Sequence, residues 1–201
     1  MELAEPFIEY ARLYKEHGFN LYMIGGTSRD FLLGIPLLDF DFATDATPEE
    51  EKSFLSQANY TFAKYGSVRI PHGSMHIDVT TLREESGYDD HRHPAKISFI
   101  KDLEKDSLRR DFTINAIYID DEGHVHDFHH GLEDLENKLI RFIGDPRRRI
   151  KEDPLRILRA ERFARRLGFK IEPESQKAID DLRGELAFLN PEKVLMESEK
   201  G

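Results

Sequence analysis

The stretch Ile24–Pro48, "IGGTSRDFLLGIPLLDFDFATDATP", combines a glycine turn, a short apolar helix and a strand that carries acids. Strand side chains alternate between two faces, so "DFDFAT" places Asp39 and Asp41 on one face and Phe40 and Phe42 on the other. The phenylalanine face is predicted to pack into a core. The opposite face presents two carboxylates, and because two like charges this close repel each other, the pair favours a bound divalent cation.

The residues around this pair indicate which ligand it serves. Oxygen ligands suit magnesium. With 39 acids in 201 residues, however, chance alone yields about seven acid-x-acid triplets, so this triplet alone does not establish a metal site. Gly25 and Gly26 provide it, because glycine lets the backbone approach a ligand and the following helix offers free N–H groups to an anion. Arg29 can add a phosphate contact, whereas Asp30 is expected to cap or pair structurally. A phosphate cradle beside a metal pair predicts a nucleoside triphosphate site.

Composition narrows the class of protein. The chain is 39% hydrophobic and 10% aromatic, which is typical of a globular rather than a disordered protein. No apolar run is long enough to span a membrane, and no basic and apolar leader is visible. The chain has no cysteine, which excludes disulfides and thiolate metal sites. We therefore expect a cytoplasmic protein, and no protein partner is evident.

The charge of the chain is distributed unevenly. The net charge is -10, yet residues 141–170 contain eleven Lys or Arg and four acids, a local net charge of +7. This basic stretch is a candidate footprint for nucleic-acid phosphates. The alternative is a solvated helix face.

The order of predicted elements indicates an α+β fold with a change in character along the chain. Residues 1–137 read as a mixed α/β domain and residues 138–201 as a helical one. Up to residue 95 the patterns predict helices at 3–17, 27–34 and 47–55, strands at 20–26, 39–44, 67–73 and 75–82, and a loop at 83–95. Residues 102–120 are predicted to form a helix, a turn and a strand, and residues 124–144 a strand, a turn and a return strand. Only helices are predicted from Asp145 onward.

Four ordered motifs resemble one known family. "GGTSRD" followed by "DFDFATDATP" is similar to the class II tRNA nucleotidyltransferases and bacterial poly(A) polymerases of the DNA polymerase β superfamily. "DVTTLREESGYDDHRHP" resembles the family's strand and flexible loop, "SLRRDFTINAI" its ribose and triphosphate motif, and "EDPLRILRAERFARRLGF" its nucleotide-selecting helix. The resemblance covers nearly the whole chain and implies a nucleotidyltransferase head, a small antiparallel-rich sheet with helices, followed by an all-helical neck.

The resemblance also implies a two-metal nucleotidyl transfer. Asp39 and Asp41 would hold two magnesium ions that activate the RNA 3′-hydroxyl and stabilise the leaving pyrophosphate. A third carboxylate usually completes such a site; Asp78 is the candidate we favour, and Asp106 and Asp111 remain open.

The same resemblance assigns residues to the nucleotide. Gly25, Gly26, Arg29 and Arg110 would lie at its phosphates or ribose, with Asp111 beside them, although Arg109, Arg110 and Asp111 can also be read as a structural ion pair. The loop Tyr88–Pro94 would take part in the switch from C to A addition, or be an ordinary surface loop. His129 and His130 replace residues that are usually aromatic and glycine, which affects the local turn. Zinc binding by these histidines and His124 and His126 is disfavoured, because no carboxylate spacing completes a zinc site.

The helix that starts near Pro154 suggests how a base is chosen. Its apolar positions cluster on one face, and Asp153 and Arg156 are predicted to project onto that face. A carboxylate accepts from an exocyclic amino group and a guanidinium donates to a ring nitrogen, so this pair can admit C and A and refuse U and G. The alternative is a buried salt bridge between the two. Arg159 and Arg162, one turn further on each, would stay near the base or the triphosphate.

These observations predict a template-independent enzyme that adds C and A, or A alone, to tRNA 3′ ends from CTP and ATP. A poly(A) polymerase with the same chemistry and a non-catalytic RNA-binding fragment are the alternatives. The chain is expected to stop before the further helical domains of the family, either as a shortened chain or as an unusually short member.

Overall fold

The computed structural model describes residues 2–87, 94 and 96–199. The chain forms two compact units. Unit 1 comprises Met1–Glu84, Ile97–Arg109 and Asn115–Phe128, and unit 2 comprises Glu85–Lys96, Arg110–Ile114 and His129–Gly201. The domain boundary at 137/138 stays a prediction. No helix in the described ranges has the length and apolarity that crossing a membrane requires.

Unit 1 is a mixed α/β structure, as predicted for the head. Its helices and strands follow in chain order: α1 (Glu5–Glu16), β1 (Leu21–Met23), α2 (Gly25–Leu33), β2 (Phe40–Thr44), α3 (Pro48–Lys52), β3 (Ser67–His72), β4 (Met75–Thr81), α4 (Leu103–Ser107), β7 (Ile117–Ile119) and β8 (Val125–Asp127). Between them, β5 (Arg83–Ser86) and β6 (Lys96–Phe99) form a separate two-stranded sheet. The loop predicted from residue 83 therefore begins with a strand. Of the predicted flexible loop Tyr88–Pro94, only Pro94 belongs to the described residues.

The six strands of the main sheet run in the order β3-β4-β2-β1-β7-β8. β2 pairs parallel with β4 and antiparallel with β1, and β3 pairs antiparallel with β4. β2 is therefore bordered by a hydrogen-bonded strand on each side. Phe40 and Phe42 are 4% and 1% exposed and pack in the same cluster as Phe7 and Tyr14 of α1. The predicted alternation is confirmed, and it leaves Asp41 on the opposite face.

Two local sequence signals shape the segments on either side of β2. Helix α2 ends at Gly34, whose φ of +72° lies in the left-handed region that glycine adopts without strain. Helix α3 starts with a capping box, in which the Thr47 hydroxyl accepts from the Glu50 N–H and the Glu50 carboxylate accepts from the Thr47 N–H. Both boundaries agree with the sequence prediction, because they depend on residues only a few positions apart.

Unit 2 is mainly helical but contains two short strands. Its elements are α5 (Gly131–Asn137), β9 (Leu139–Ile140), α6 (Pro146–Glu152), α7 (Leu155–Leu167), β10 (Lys170–Ile171), α8 (Pro173–Leu182) and α9 (Pro191–Glu199). β10 pairs parallel with β9. The expectation of only helices after Asp145 was therefore wrong, and an all-helical neck is not confirmed.

Of the strand, turn and return strand predicted for 124–144, the first strand is confirmed as β8, and the hairpin that should follow it was wrong. Gly131, Asp134 and Leu135 are buried at helical spacing, so the segment after β8 forms α5. His130 precedes it with a φ of +59°, a conformation that histidine tolerates better than bulky residues do. β9 then pairs with β10 rather than with β8. Periodicity over a few residues could not identify a partner strand so distant in sequence.

Candidate active site

Asp41 is anchored through its backbone to the turn that begins α2. Its N–H donates to Thr27 Oγ1 at 2.7 Å, and its carbonyl accepts from the Ile24 N–H at 3.1 Å. Gly25 at this turn has a φ of +61°, and a Cβ built on it would lie 3.7 Å from Asp41 Oδ2. These contacts place an exposed carboxylate directly beside a helix N-terminus. The sequence predicted both features, and the Thr27 contact that joins them was missed.

Arg29 is buried beside the turn that begins α2. It is 2% exposed, and its guanidinium donates to Asp30 Oδ1 at 3.0 Å and to Asn115 Oδ1 at 2.7 Å. A Cβ on Gly26 would meet Arg29 Nη2 at 3.2 Å, so the guanidinium packs closely against the turn. Its direct phosphate contact stays a prediction, while the structural pairing expected of Asp30 is present.

One face of the sheet carries the candidate metal ligands. We call the acid face the group formed by Asp39, Asp41, Arg69, His76 and Asp78. Asp41 is opposite Asp78 in the pairing of β2 with β4, and Arg69 is opposite Asp78 in the pairing of β3 with β4. Asp39, which directly precedes β2, is 62% exposed at its side chain, and its Oδ1 lies 3.7 Å from His76 Nδ1. Exposed oxygen donors without sulfur fit magnesium by their chemistry.

The three candidates for a third carboxylate lie in different surroundings. Asp78 is next to Asp41 but receives two hydrogen bonds from Arg69, at 2.8 and 3.2 Å. Asp106 is fully buried and accepts from the Arg83 N–H, Arg109 and Tyr118. Within residues 2–87, 94 and 96–199, no group of three or more His, Cys, Asp or Glu side chains is arranged to hold a metal ion.

Asp111, the third candidate, is paired with an arginine in unit 2. It accepts from Arg159 Nε at 2.9 Å and from the Phe112 N–H at 2.7 Å. Burial alone would raise the pKa of Asp111, but the Arg159 charge and these hydrogen bonds lower it below its usual value. Asp111 is thus an ionised partner of Arg159, which lies far from it in sequence, and its place beside the nucleotide stays a prediction.

The predicted base-reading pair is arranged differently from the sequence expectation. Asp153 is not on the helix with Arg156: it ends α6 in an extended conformation, and its carboxylate accepts from the Leu155 N–H at 3.2 Å. Arg156 is 6% exposed and donates to the Arg149 carbonyl at 2.7 Å and to Glu152 at 3.2 Å. Pro154 interrupts the helix because it supplies no N–H to α6. Glu152 is therefore the residue that the sequence reading missed, although its i, i+4 spacing to Arg156 was a usable signal.

The next two turns of α7 carry Arg159 and Arg162. Both guanidinium groups lie over the Phe163 ring, with centroid distances of 5.7 and 4.8 Å. Arg162 also donates to Glu197 of α9 at 2.6 Å, and burial lowers its pKa. Ile157, Ala160 and Phe163 are buried, which confirms the predicted apolar face.

Carboxylates from outside the basic stretch compensate much of its charge. Within unit 2, Arg141 pairs with Asp134 and Glu172, Arg147 with Asp181, Arg159 with Asp111 and Arg162 with Glu197. Arg110, the remaining predicted nucleotide contact, is half-buried, and its carbonyl accepts from Arg149 at 2.9 Å. The local charge of +7 in the sequence therefore overstates the positive charge available to RNA.

Comparison with known proteins places this arrangement in a family. Residues 21–141 match the family described as the poly(A) polymerase head domain. The CCA-adding enzyme of Pediococcus pentosaceus is 42% identical over 92% of this chain and 47% of its own length. The chain spans about half the length of the curated relatives it matches.

Solved structures agree with the sequence relatives. The Bacillus stearothermophilus CCA-adding enzyme in complex with CTP aligns with a TM-score of 0.87 and 35% identity, covering 97% of this chain and 48% of that one. A tRNA nucleotidyltransferase complexed with a primer tRNA and an incoming ATP analog aligns with a TM-score of 0.75 and 32% identity, covering 93% of this chain and 54% of that one.

Proposed function

This chain belongs to the poly(A) polymerase head-domain family, and we propose that it transfers C and A, or A alone, from CTP and ATP to the 3′ end of tRNA. The relatives named CCA-adding enzymes support this substrate choice. The observation that carries the proposal is the position of Asp41, whose carboxylate lies beside the N-terminus of α2. A metal ligand next to an anion-binding helix end is what a nucleoside triphosphate with its magnesium requires.

Asp39 and Asp41 are the residues that would hold magnesium, and Asp78, whose carboxylate is bound by Arg69 in this structure, is the candidate for a third ligand. When bound, two magnesium ions supply charge stabilisation for the phosphates and lower the pKa of the attacking hydroxyl. The acid face contributes carboxylate oxygens on a rigid sheet, because Asp41 is fixed on both sides of its backbone. Two ions, and magnesium as the metal, are part of this proposal.

The turn at Gly25 and Gly26 would receive the phosphates of the nucleotide. Gly25 and Gly26 begin α2, so their N–H groups have no acceptor within the helix, whereas those of Thr27 and Ser28 donate to the Ile24 carbonyl; the absence of side chains at the two glycines lets an anion approach. Arg29 supports this turn from within the unit, since its guanidinium is buried against Gly26 and hydrogen-bonded to Asn115. Arg110 is proposed to add a contact to the phosphates or ribose.

Unit 2 would choose the base. Asp153 presents a half-buried carboxylate at the junction of α6 and α7, where it can accept from an exocyclic amino group. Arg156 is held by Glu152 and the Arg149 carbonyl, which fixes the guanidinium that would donate to a ring nitrogen. Arg159 and Arg162 are proposed to lie near the base or the triphosphate, with Asp111 orienting Arg159.

The decisive experiment replaces the metal ligand. In Asp41→Ala, transfer of labelled CTP and ATP to tRNAs that lack CCA or only the final A should fall by a factor on the order of a thousand or more, because a charged ligand of the metal is lost. Glu49→Gln, which removes an exposed acid of the same unit, is the matched control and should retain transfer. Near wild-type transfer by a folded Asp41→Ala protein would refute the proposal.

The product identifies which member of the family this is. Incorporation that stops after A supports CCA or A addition. Long A tails would instead indicate a poly(A) polymerase, which the description of the matching family also allows. Binding of tRNA without incorporation would indicate an RNA-binding fragment.

A further inference from the structure

Three charged side chains stand in one row across the acid face. Register pairs on neighbouring strands project to the same side of a sheet, so Arg69 of β3, Asp78 of β4 and Asp41 of β2 share a face in that order. β3 and β2 flank β4 on opposite sides. The guanidinium of Arg69 and the carboxylate of Asp41 are therefore on opposite sides of Asp78.

Arg69 takes up both oxygens of Asp78. Its Nε donates to Oδ1 at 2.8 Å and its Nη2 donates to Oδ2 at 3.2 Å. A two-point guanidinium–carboxylate contact fixes direction as well as distance, which a lysine contact would not do. Both oxygens of Asp78 are thus bound by a residue of β3, while Asp41 lies on β2; His76 Nε2 is a further neighbour, 4.0 Å from Asp78 Oδ2. Because the Arg69 side chain is 55% exposed, this contact is open to exchange with solvent and ions.

We propose that Arg69 is a positioning residue that sets the metal affinity of the acid face by holding Asp78 away from Asp39 and Asp41. Metal affinity rises with the number of charged oxygen ligands, so a released Asp78 would strengthen binding at the pair. With Arg69 in place, a cation binds two carboxylates and must displace a guanidinium to gain the third. The inference rests on the proposed function, because it takes Asp39 and Asp41 as metal ligands.

The test measures Mn²⁺ binding to the full chain without nucleotide or RNA, by titration with detection of free Mn²⁺ by electron paramagnetic resonance. Arg69→Gln should bind Mn²⁺ more tightly than wild type, by a factor on the order of ten. Arg69→Lys keeps the positive charge but loses the two-point contact, so it should also bind more tightly than wild type. Lys64→Gln, which removes an exposed cation of the same unit, is the control for charge alone and should leave the affinity near the wild-type value.

A double-variant cycle shows whether the gain acts through Asp78. In an Asp78→Asn background, Arg69→Gln should have little further effect on Mn²⁺ affinity, because no carboxylate remains to be released. Thermal melting of each variant establishes that the protein is folded. If Arg69→Gln has the same effect on affinity with and without Asp78, or no effect at all, the inference is overturned.

Asp41→Asn separates this inference from the proposed function. Loss of Mn²⁺ binding in Asp41→Asn, together with an unchanged affinity in Arg69→Gln, overturns the role of Arg69 and leaves the metal site standing. Mn²⁺ binding that survives in Asp41→Asn overturns the assignment of the metal ligands, and the role of Arg69 with it.

Discussion

Glu51 of α3 is a carboxyl group in the core of unit 1, and its ionisation should make the stability of the protein depend on pH. The residue is 0% exposed, and its Oε2 accepts from the Tyr14 hydroxyl at 2.6 Å. Its Oε1 has no hydrogen-bond partner among the described residues. Burial, with a smaller contribution from the nearby Glu50, raises the pKa of Glu51 to about 8, although Tyr14 and Thr81 oppose the shift.

The sign and size of the effect follow from this shift. Between the unfolded pKa of 4.5 and the folded pKa of about 8, the folded protein keeps a proton that the unfolded chain has lost. Stability therefore falls as the pH rises through this window, and below it Glu51 has no effect. A difference of about 3.5 pH units corresponds to about 5 kcal/mol of unfolding free energy once the pH exceeds the folded pKa.

The substitution Glu51→Gln tests this, because glutamine has the same shape but cannot ionise. Its amide oxygen can still accept from Tyr14. We expect the unfolding free energy of wild type, relative to that of Glu51→Gln, to decrease by about 3–5 kcal/mol between pH 5 and pH 8.5. Urea denaturation followed by circular dichroism at several pH values in this range measures the difference, in which other titrating groups cancel. Glu49→Gln, an exposed substitution on the same helix, should show no such trend.

A flat difference between wild type and Glu51→Gln across this range would refute the reasoning. It would mean that Glu51 ionises equally easily in the folded and unfolded chain, so that water or a cation reaches the carboxylate in the folded protein.

Three further predictions concern unit 2. Asp153→Asn should allow UTP incorporation, with about a ten- to hundredfold loss of discrimination against UTP relative to CTP and ATP. Transfer of all four labelled NTPs measures this change. Unchanged selectivity in a folded variant would contradict base reading by Asp153. Arg159→Ala should lower the unfolding free energy by about 1–3 kcal/mol in urea denaturation, because it removes the arginine hydrogen bonds of the Asp111 carboxylate; no measurable change would contradict this. Binding of tRNA should be weak and should weaken further with added salt, and tight, salt-insensitive binding in a filter assay would be inconsistent with a phosphate footprint at 141–170.

Short-range patterns in the sequence were sufficient to predict most of the helices and strands around the site. The strand period placed Asp41 opposite the buried Phe40 and Phe42, and the Thr47 cap and Gly34 end were visible as single residues. These features depend on interactions within a few positions of the chain, so the sequence contains all of their determinants. The family resemblance rested on the same local motifs, and the comparisons confirm it.

The tertiary structure decided which charges meet. Asp78 pairs with Arg69 on the neighbouring strand, Asp111 with Arg159 far along the chain, and Arg156 with Glu152. It also placed β9 beside β10, where the sequence had suggested a hairpin. An arginine can reach any carboxylate within several ångströms, and a short strand can pair with any free edge, so these choices depend on which segments the fold brings together and not on the residues next to them in sequence.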